Sequence, residues 1–250
     1  MTRAFFVFLF VAAAFAQTKL STPVLGIARD AQQQLRRVDG VSGTFILRND
    51  VAENAVDWAF DGDGGLVKTA HELLTIGPDG AIAQRHAAPQ RDGVLGPRSA
   101  FFPDTSEFWE RGNHVSAQPG MIAGKVIAVS DKQLAVCRAN TLWLLTIDTK
   151  TAAVTHEIVP GGAIGEQACA PGRVGLLLLM PDRMLLAAAK AILVQTTAGI
   201  ERSIRISATH LARAGREWIE AEIAGEGPRM IRVSRDGEQV YELPTRKERP

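Results

Sequence analysis

Absences narrow the reading first. Outside the short tail TRKERP at 245–250 the chain has no run of like charges, and 28 Lys plus Arg against 27 Asp plus Glu leave a formal charge of +1. A surface so evenly balanced does not steer a polyanion, which sets nucleic acid aside as a partner. The five histidines, His71, His86, His114, His156 and His210, stand singly. None has the i, i+4 spacing of a helix-borne zinc pair, and two cysteines are too few to complete a closed zinc set. GVSG at 40–43 lacks the G-x-S-x-G elbow that raises a serine nucleophile. GMIAGKV at 120–126 is one residue short of a phosphate loop and puts Val126 where the magnesium-binding hydroxyl belongs. No catalytic, cofactor or metal signature stands out, so the expected cofactor is none.

Long apolar runs are also few. The start, MTRAFFVFLFVAAAFAQ, has a basic residue at Arg3, an apolar run from Ala4 to Ala16 and a small-x-small ending at Ala14-Phe15-Ala16. That pattern reads as a secretory signal peptide over 1–16, with a mature domain over 17–250. The run is well short of the roughly 20 residues a membrane-crossing helix needs. The stretch GLLLLMPDRMLLAAAKAILV at 175–194 is broken by Pro181, Asp182, Arg183 and Lys190, and each such charge costs about 2.5 to 3.5 kcal/mol at a bilayer centre. It belongs in a core, so the mature chain is expected to carry no membrane span and to sit in the periplasm or outside the cell. There Cys137 and Cys169 are free to pair, closing a loop worth roughly 3 to 4 kcal/mol by chain entropy; two buried free thiols are the alternative.

What the sequence does have is period two. From 124 it reads GKVIAVSDKQLAVCRANTLWLLTIDTKTAAVTHEI, short β-branched and aromatic runs split by SDK, RAN and DTKT. Such runs suit strands, and the clusters between them suit tight turns. AVDWAF, LVKTAHELLTI and AIAQR repeat the pattern at 54–86, and EWIEAEIA, RMIRVS and QVYELP repeat it near the end. In EWIEAEIA, Ile219, Ala221 and Ile223 alternate with Glu220 and Glu222, as in a strand with one wet side. IARDAQQQLRRV at 27–38 and DRMLLAAAKAILVQ at 182–195 also fit a helical face, but their neighbours favour strands.

Sets of three or four strands return near 54–86, 98–118, 124–158, 172–206 and 216–243. A return every 35 to 45 residues or so marks β-propeller blades, which bury their faces only against neighbouring blades. NTLWLLTIDTKTAAVTHEI at 140–158, AFFPDTSEFWE and VDWAFDGDGGLVK resemble the strand-turn-strand units of bacterial propeller repeats of the WD40-like and quinoprotein-like kind. The resemblance implies an all-β single domain, a β-propeller of about five to six irregular blades. Residues 23–43 look like the later strands of a blade lacking its first, and a last blade that borrowed an N-terminal strand would close the ring.

DGDGG at 61–65 places Asp61, Asp63 and Glu72 at positions 1, 3 and 12 of a calcium loop, but Gly65 and Leu66 stand at positions 5 and 6. A helix-flanked loop needs glycine at position 6, whereas a hairpin turn explains these glycines without a metal. Asp57, Glu107, Glu110 and Glu166 could converge only through the fold. Trp58, Trp109, Trp143 and Trp218 fall in different blades, where a large ring fills the wedge between sheets. Trp109, in EFWERGNH, is the one aromatic set among polar groups and is a weak candidate for ligand binding.

The expected protein is therefore an exported, non-enzymatic platform for a protein or glycan partner. The alternative is a propeller-fold hydrolase, lyase or lactonase with a loop-built site on one face. The hub separates them: inward carboxylates or histidines with room for a ligand favour the second, and an apolar plug favours the first.

Overall fold

The computed structural model describes residues 22–90, 92–115, 122–148, 150–151, 153–170 and 176–244. The segment read as a signal peptide lies outside them. Among the described residues the chain forms six antiparallel sheets, a six-bladed β-propeller in one domain. Blade 1 holds β1 (Val24–Arg29), β2 (Leu35–Val41) and β3 (Thr44–Ala52). Blade 2 holds β4 (Asp57–Phe60), β5 (Gly65–Lys68), β6 (Glu72–Ile76) and β7 (Ile82–Ala87). Blade 3 holds β8 (Val94–Leu95), β9 (Ser99–Phe102), β10 (Glu107–Glu110) and β11 (Asn113–Val115). Blade 4 holds β12 (Lys125–Val129), β13 (Gln133–Arg138), β14 (Thr141–Ile147) and β15 (Val154–Ile158), followed by the helix α1 (Gly162–Gln167). Blade 5 holds β16 (Leu177–Met180), β17 (Arg183–Ala187), β18 (Ile192–Thr196) and β19 (Glu201–Ile204). Blade 6 holds β20 (Ala208–Arg213), β21 (Trp218–Ile223), β22 (Gly227–Val233) and β23 (Glu238–Glu242).

Both ambiguous stretches are strands. At 27–38 the carboxylate of Asp30 accepts the N–H groups of Gln32 and Gln34 at 2.9 and 3.0 Å, and Gln33 turns to φ 62°, which reverses the chain between β1 and β2. At 182–195 the strands β17 and β18 pair from Arg183↔Thr196 to Ala187↔Ile192. Burial on two sides explains why these stretches looked helical. In 27–38, Ile27 and Leu35 pack toward blade 2 while Ala28 and Val38 pack toward blade 6; in 182–195, Leu186 packs toward blade 4 while Leu185 and Ala187 pack toward blade 6. A strand buried on both faces shows a continuous apolar run instead of alternation.

One apolar cluster fills each wedge between neighbouring blades, and a single strand feeds two of them. Leu66 of β5 faces blade 3 and Val67 faces blade 1; Phe101 of β9 faces blade 4 and Phe102 faces blade 2. The wedge between blades 6 and 1 is filled by Ala28, Val38, Trp218 and Met230, with Phe45 edge-on to Trp218 at 5.6 Å. Trp58 is 1% exposed in the wedge between blades 1 and 2, in keeping with a packing role.

Blade 1 has three strands, as a blade without its innermost strand would. The remaining innermost strands, β4, β8, β12, β16 and β20, contact one another in turn around the hub, and β20 meets β4 directly. Blade 6 builds its sheet from β20 to β23 alone, so closure by a borrowed N-terminal strand is not what the described residues show. Instead, blade 1 wedges against β21 and β22 outside the hub. Its inner edge is met by the β20–β21 turn, where Ile27 donates to the Ala214 carbonyl at 2.9 Å. The approach requires glycine on both sides: a Cβ on Gly26 would lie 1.8 Å from the Ala214 carbonyl oxygen, and one on Gly215 2.1 Å from that of Leu25.

This packing overturns the wet-faced reading of EWIEAEIA. Glu220 is 0% exposed, because the face expected to meet water is covered by blade 1. Its Oε2 accepts the Arg29 backbone N–H, which caps part of the edge left free by the missing strand. The helix α1 was not anticipated; it drops Ile164 and Ala168 into the wedge between blades 4 and 5, and Ala163 donates to Glu201. Just beyond it, Cys169 is joined to Cys137 of β13, with Cα atoms 5.5 Å apart.

Candidate functional site

All five hub strands start at one end of the hub, and that end holds an open hollow of about 640 Å³. Charged residues reach it from four blades: Asp57 at the start of β4, Lys68 at the end of β5, Asp92 before β8, Lys125 at the start of β12, and His210 in β20. Val94 and Ile127 supply apolar wall between them. Two further hollows, of about 590 and 680 Å³, lie away from the hub. One lies between blades 1 and 2 and includes Glu53, His71 and Arg85; the other lies along β3 and reaches Pro244.

His210 and Asp57 come from opposite ends of the sequence and meet because β20 adjoins β4. Nε2 of His210 lies 3.7 Å from Oδ1 of Asp57. The same carboxylate oxygen accepts the Trp58 N–H at 2.8 Å, which fixes its direction. The imidazole packs on Trp58, ring centroids 5.4 Å apart, and its Nδ1 is buried with no hydrogen-bond partner. Behind the pair, the Arg29 guanidinium sits 4.2 Å over the Trp58 ring. It also donates to the carbonyls of Ala55 and Val56 at 3.3 and 3.1 Å and pairs with Glu222 at 3.7 Å. The incomplete blade thus holds the segment that leads into the mouth.

Lys68 is 3% exposed, unusual for a lysine. Its ammonium donates to the carbonyls of Thr69 and Ala70. Burial pushes its pKa below the ordinary lysine value, and the nearby Asp92 partly opposes that shift. Two lysines, two carboxylates and an imidazole around one hollow make a surface that matches a polar ligand bearing charge of either sign.

Of the residues singled out in the sequence, Asp57, Val126 and His210 line the hollow, and the others lie elsewhere. Trp109 is 9% exposed and packs with Leu95, Ala100 and Phe102 in the wedge between blades 2 and 3. Its Nε1 donates to Glu107 at 3.2 Å, and His86 and His114 stand edge-on at 6.4 and 5.4 Å. Cys137 and Cys169 lie between blades 4 and 5. In DGDGG the backbone makes the hairpin turn between β4 and β5, with φ 92° at Gly62 and 148° at Gly64. Asp61 pairs there with Arg98 at 3.3 Å and Asp63 with Arg216 at 3.2 Å, while Glu72 pairs with Arg85 at 2.9 Å. Lys68, Asp92 and Lys125 were missed, and His210 was named only among the histidines that stand singly. Lys125 and His210 lie near the start of an innermost strand, Asp92 precedes one and Lys68 ends β5, and no local pattern sets those positions apart.

No family model matches the chain, and no curated protein matches it. Solved propellers do resemble it. The β-propeller domain of Cps50 (Swd1) from Myceliophteria thermophila is 13% identical over 90% of this chain and 88% of that one, with a TM-score of 0.42. Virginiamycin B lyase from Staphylococcus aureus is 13% identical over 90% and 86%, with a TM-score of 0.38. Hsv2 from Kluyveromyces lactis is 12% identical with a TM-score of 0.38, covering 78% of this chain and 65% of that one, so the chain spans just under two thirds of its length. Likenesses this distant carry nothing about activity.

Proposed function

We propose that the protein is an exported β-propeller that binds a small polar ligand in the mouth of its hub. The observation that carries this reading is the convergence of Asp57, Lys68, Asp92, Lys125 and His210 on one hollow of about 640 Å³. That volume lies within the range of small-molecule sites, about 300 to 1,000 Å³. Export is supported by the basic start and apolar run at 3–16 and by the joined cysteines, which suit an oxidising compartment. A broad platform for a protein or glycan has less to rest on, since Trp109, the aromatic such a platform would use, is 9% exposed and does not line the hollow.

Catalysis on the bound ligand is the second reading, favoured by the His210–Asp57 pair and the desolvated amine of Lys68. Binding is the better supported of the two. A catalytic imidazole has one nitrogen hydrogen-bonded and the other open to substrate, whereas Nε2 of His210 stands 3.7 Å from Asp57, too far for a hydrogen bond, and its Nδ1 is buried.

The test is a thermal-shift screen of small polar metabolites against the purified protein, repeated with Lys68→Met and His210→Ala. A compound that raises the melting temperature of the wild type, and has no effect on either variant relative to its own baseline, supports the reading. If no compound stabilises the wild type, or every shift survives both substitutions, the mouth is not the site. Fractionation of cells that express the full chain tests export, with accumulation in the cytoplasm as the contrary result.

A further inference from the structure

The other end of the hub carries a ring of charge, one residue from each inner strand. Asp61 follows β4, Arg98 lies past β8, Asp131 past β12 and Asp182 past β16, and Arg213 ends β20. Three members are matched at contact distance: Arg98 and Asp61 with each other at 3.3 Å, and Asp182 with its neighbour Arg183 at 2.6 Å. The other two are not. Arg213 is 4% exposed and makes no ion pair among the described residues, and its buried Nε has no acceptor. Asp131 likewise has a buried Oδ1 with no donor. The two attract each other without touching, and burial holds the guanidinium below its ordinary pKa despite the pull of Asp61 and Asp131.

A buried cation with no partner, near a half-buried carboxylate with one buried oxygen that lacks a donor, is a costly arrangement for a fold to keep. Buried polar atoms left unpaired in a folded protein mark places where something else completes the bonds. Water can supply hydrogen bonds to both groups but brings no countercharge to either. An occupant with a negative end and a positive end compensates both.

We propose that this end of the hub binds a small zwitterion of the amino-acid type, its carboxylate on Arg213 and its ammonium group on Asp131. The site is independent of the ligand mouth at the opposite end, since the two share no residue. Bidentate pairing of a guanidinium with a carboxylate suits Arg213 better than any single-atom anion would.

Calorimetric titration of the purified protein with glycine, L-alanine and L-glutamate tests the proposal, with acetate and methylammonium as probes of one charge each. Saturable uptake of at least one amino acid is expected, with neither single-charge probe matching it. Asp131→Asn and Arg213→Gln should each weaken that uptake by about tenfold or more, the range of a charge-assisted bond. His210→Ala, at the other mouth, should leave it unchanged, which separates this site from the one proposed above. Should Arg213→Gln fail to fold, Asp131→Asn alone decides. Absence of saturable uptake, equal uptake of acetate, or uptake retained in Asp131→Asn overturns the proposal and leaves the ring as a water-filled seal.

Discussion

Glu220→Gln should make the protein more stable at neutral and alkaline pH, although it removes a charge and adds no new contact. Glu220 is fully buried between blades 6 and 1, and burial pushes its pKa from 4.5 to about 8. Because the folded value is the higher one, the protonated acid is the form that folding favours. Stability from this group is complete below pH 4.5 and is lost as pH rises through about 8. At about 1.4 kcal/mol per pH unit the whole loss is on the order of 5 kcal/mol, of which roughly 3 kcal/mol has gone by pH 7. Glutamine keeps an oxygen for the Arg29 N–H and does not ionise. Urea unfolding of both proteins from pH 4.5 to 9 is the assay, and the difference between them cancels the other titrating groups. The variant should gain on the wild type across that window and hold a constant lead above about pH 8. Parallel curves, or a variant that loses stability at every pH, would show that the carboxyl is ionised in the folded protein at neutral pH and that blade 1 does not seal it.

Three further outcomes follow from the packing. Trp109→Ala should cost about 3 to 5 kcal/mol in urea unfolding, the range for deleting a buried aromatic, and a loss below about 1 kcal/mol would mean the ring is not core. Reduction of the Cys137–Cys169 bond, which spans 32 positions of sequence, should cost roughly 3 to 4 kcal/mol; an unchanged melting curve after reduction would contradict a stabilising role. Gly26→Ala should cost well over 2 kcal/mol or so, because its Cβ would lie 1.8 Å from the Ala214 carbonyl oxygen. Gly161→Ala, with nothing within 4 Å and φ −77°, is the control expected to be neutral, and equal behaviour of the two would refute the close approach.

Period and spacing made the blades legible. Runs such as KVIAV, QLAVCR and TLWLLTI can be placed as β12, β13 and β14 from alternation and turn residues alone. The hairpin at DGDGG was legible too, because Gly62 and Gly64 take positive φ where the chain reverses. Environment was not legible where a neighbour decides it. Glu220 looks like a surface residue in EWIEAEIA, and only the presence of blade 1 buries it. Lys68 in LVKTAHE looks like ordinary solvated charge but is 3% exposed. The mouth itself was beyond reach, since His210 meets Asp57 only when β20 closes against β4. The ring at the other end had a faint mark: AFD, AVSD, LMPD and LAR each end an apolar strand on a charge. That signal recurs in four of the six blades and needs the blade boundaries to be seen.

The claim on which the rest depends is that four blades bring their charged groups together at one open mouth. Crystallography of the protein with the compound that gives the largest thermal shift tests it most directly. The account predicts ligand density between Lys68, Lys125 and His210. Density in an outer groove instead, for example beside Glu53 and Arg85, or a mouth closed by its own side chains, would contradict it.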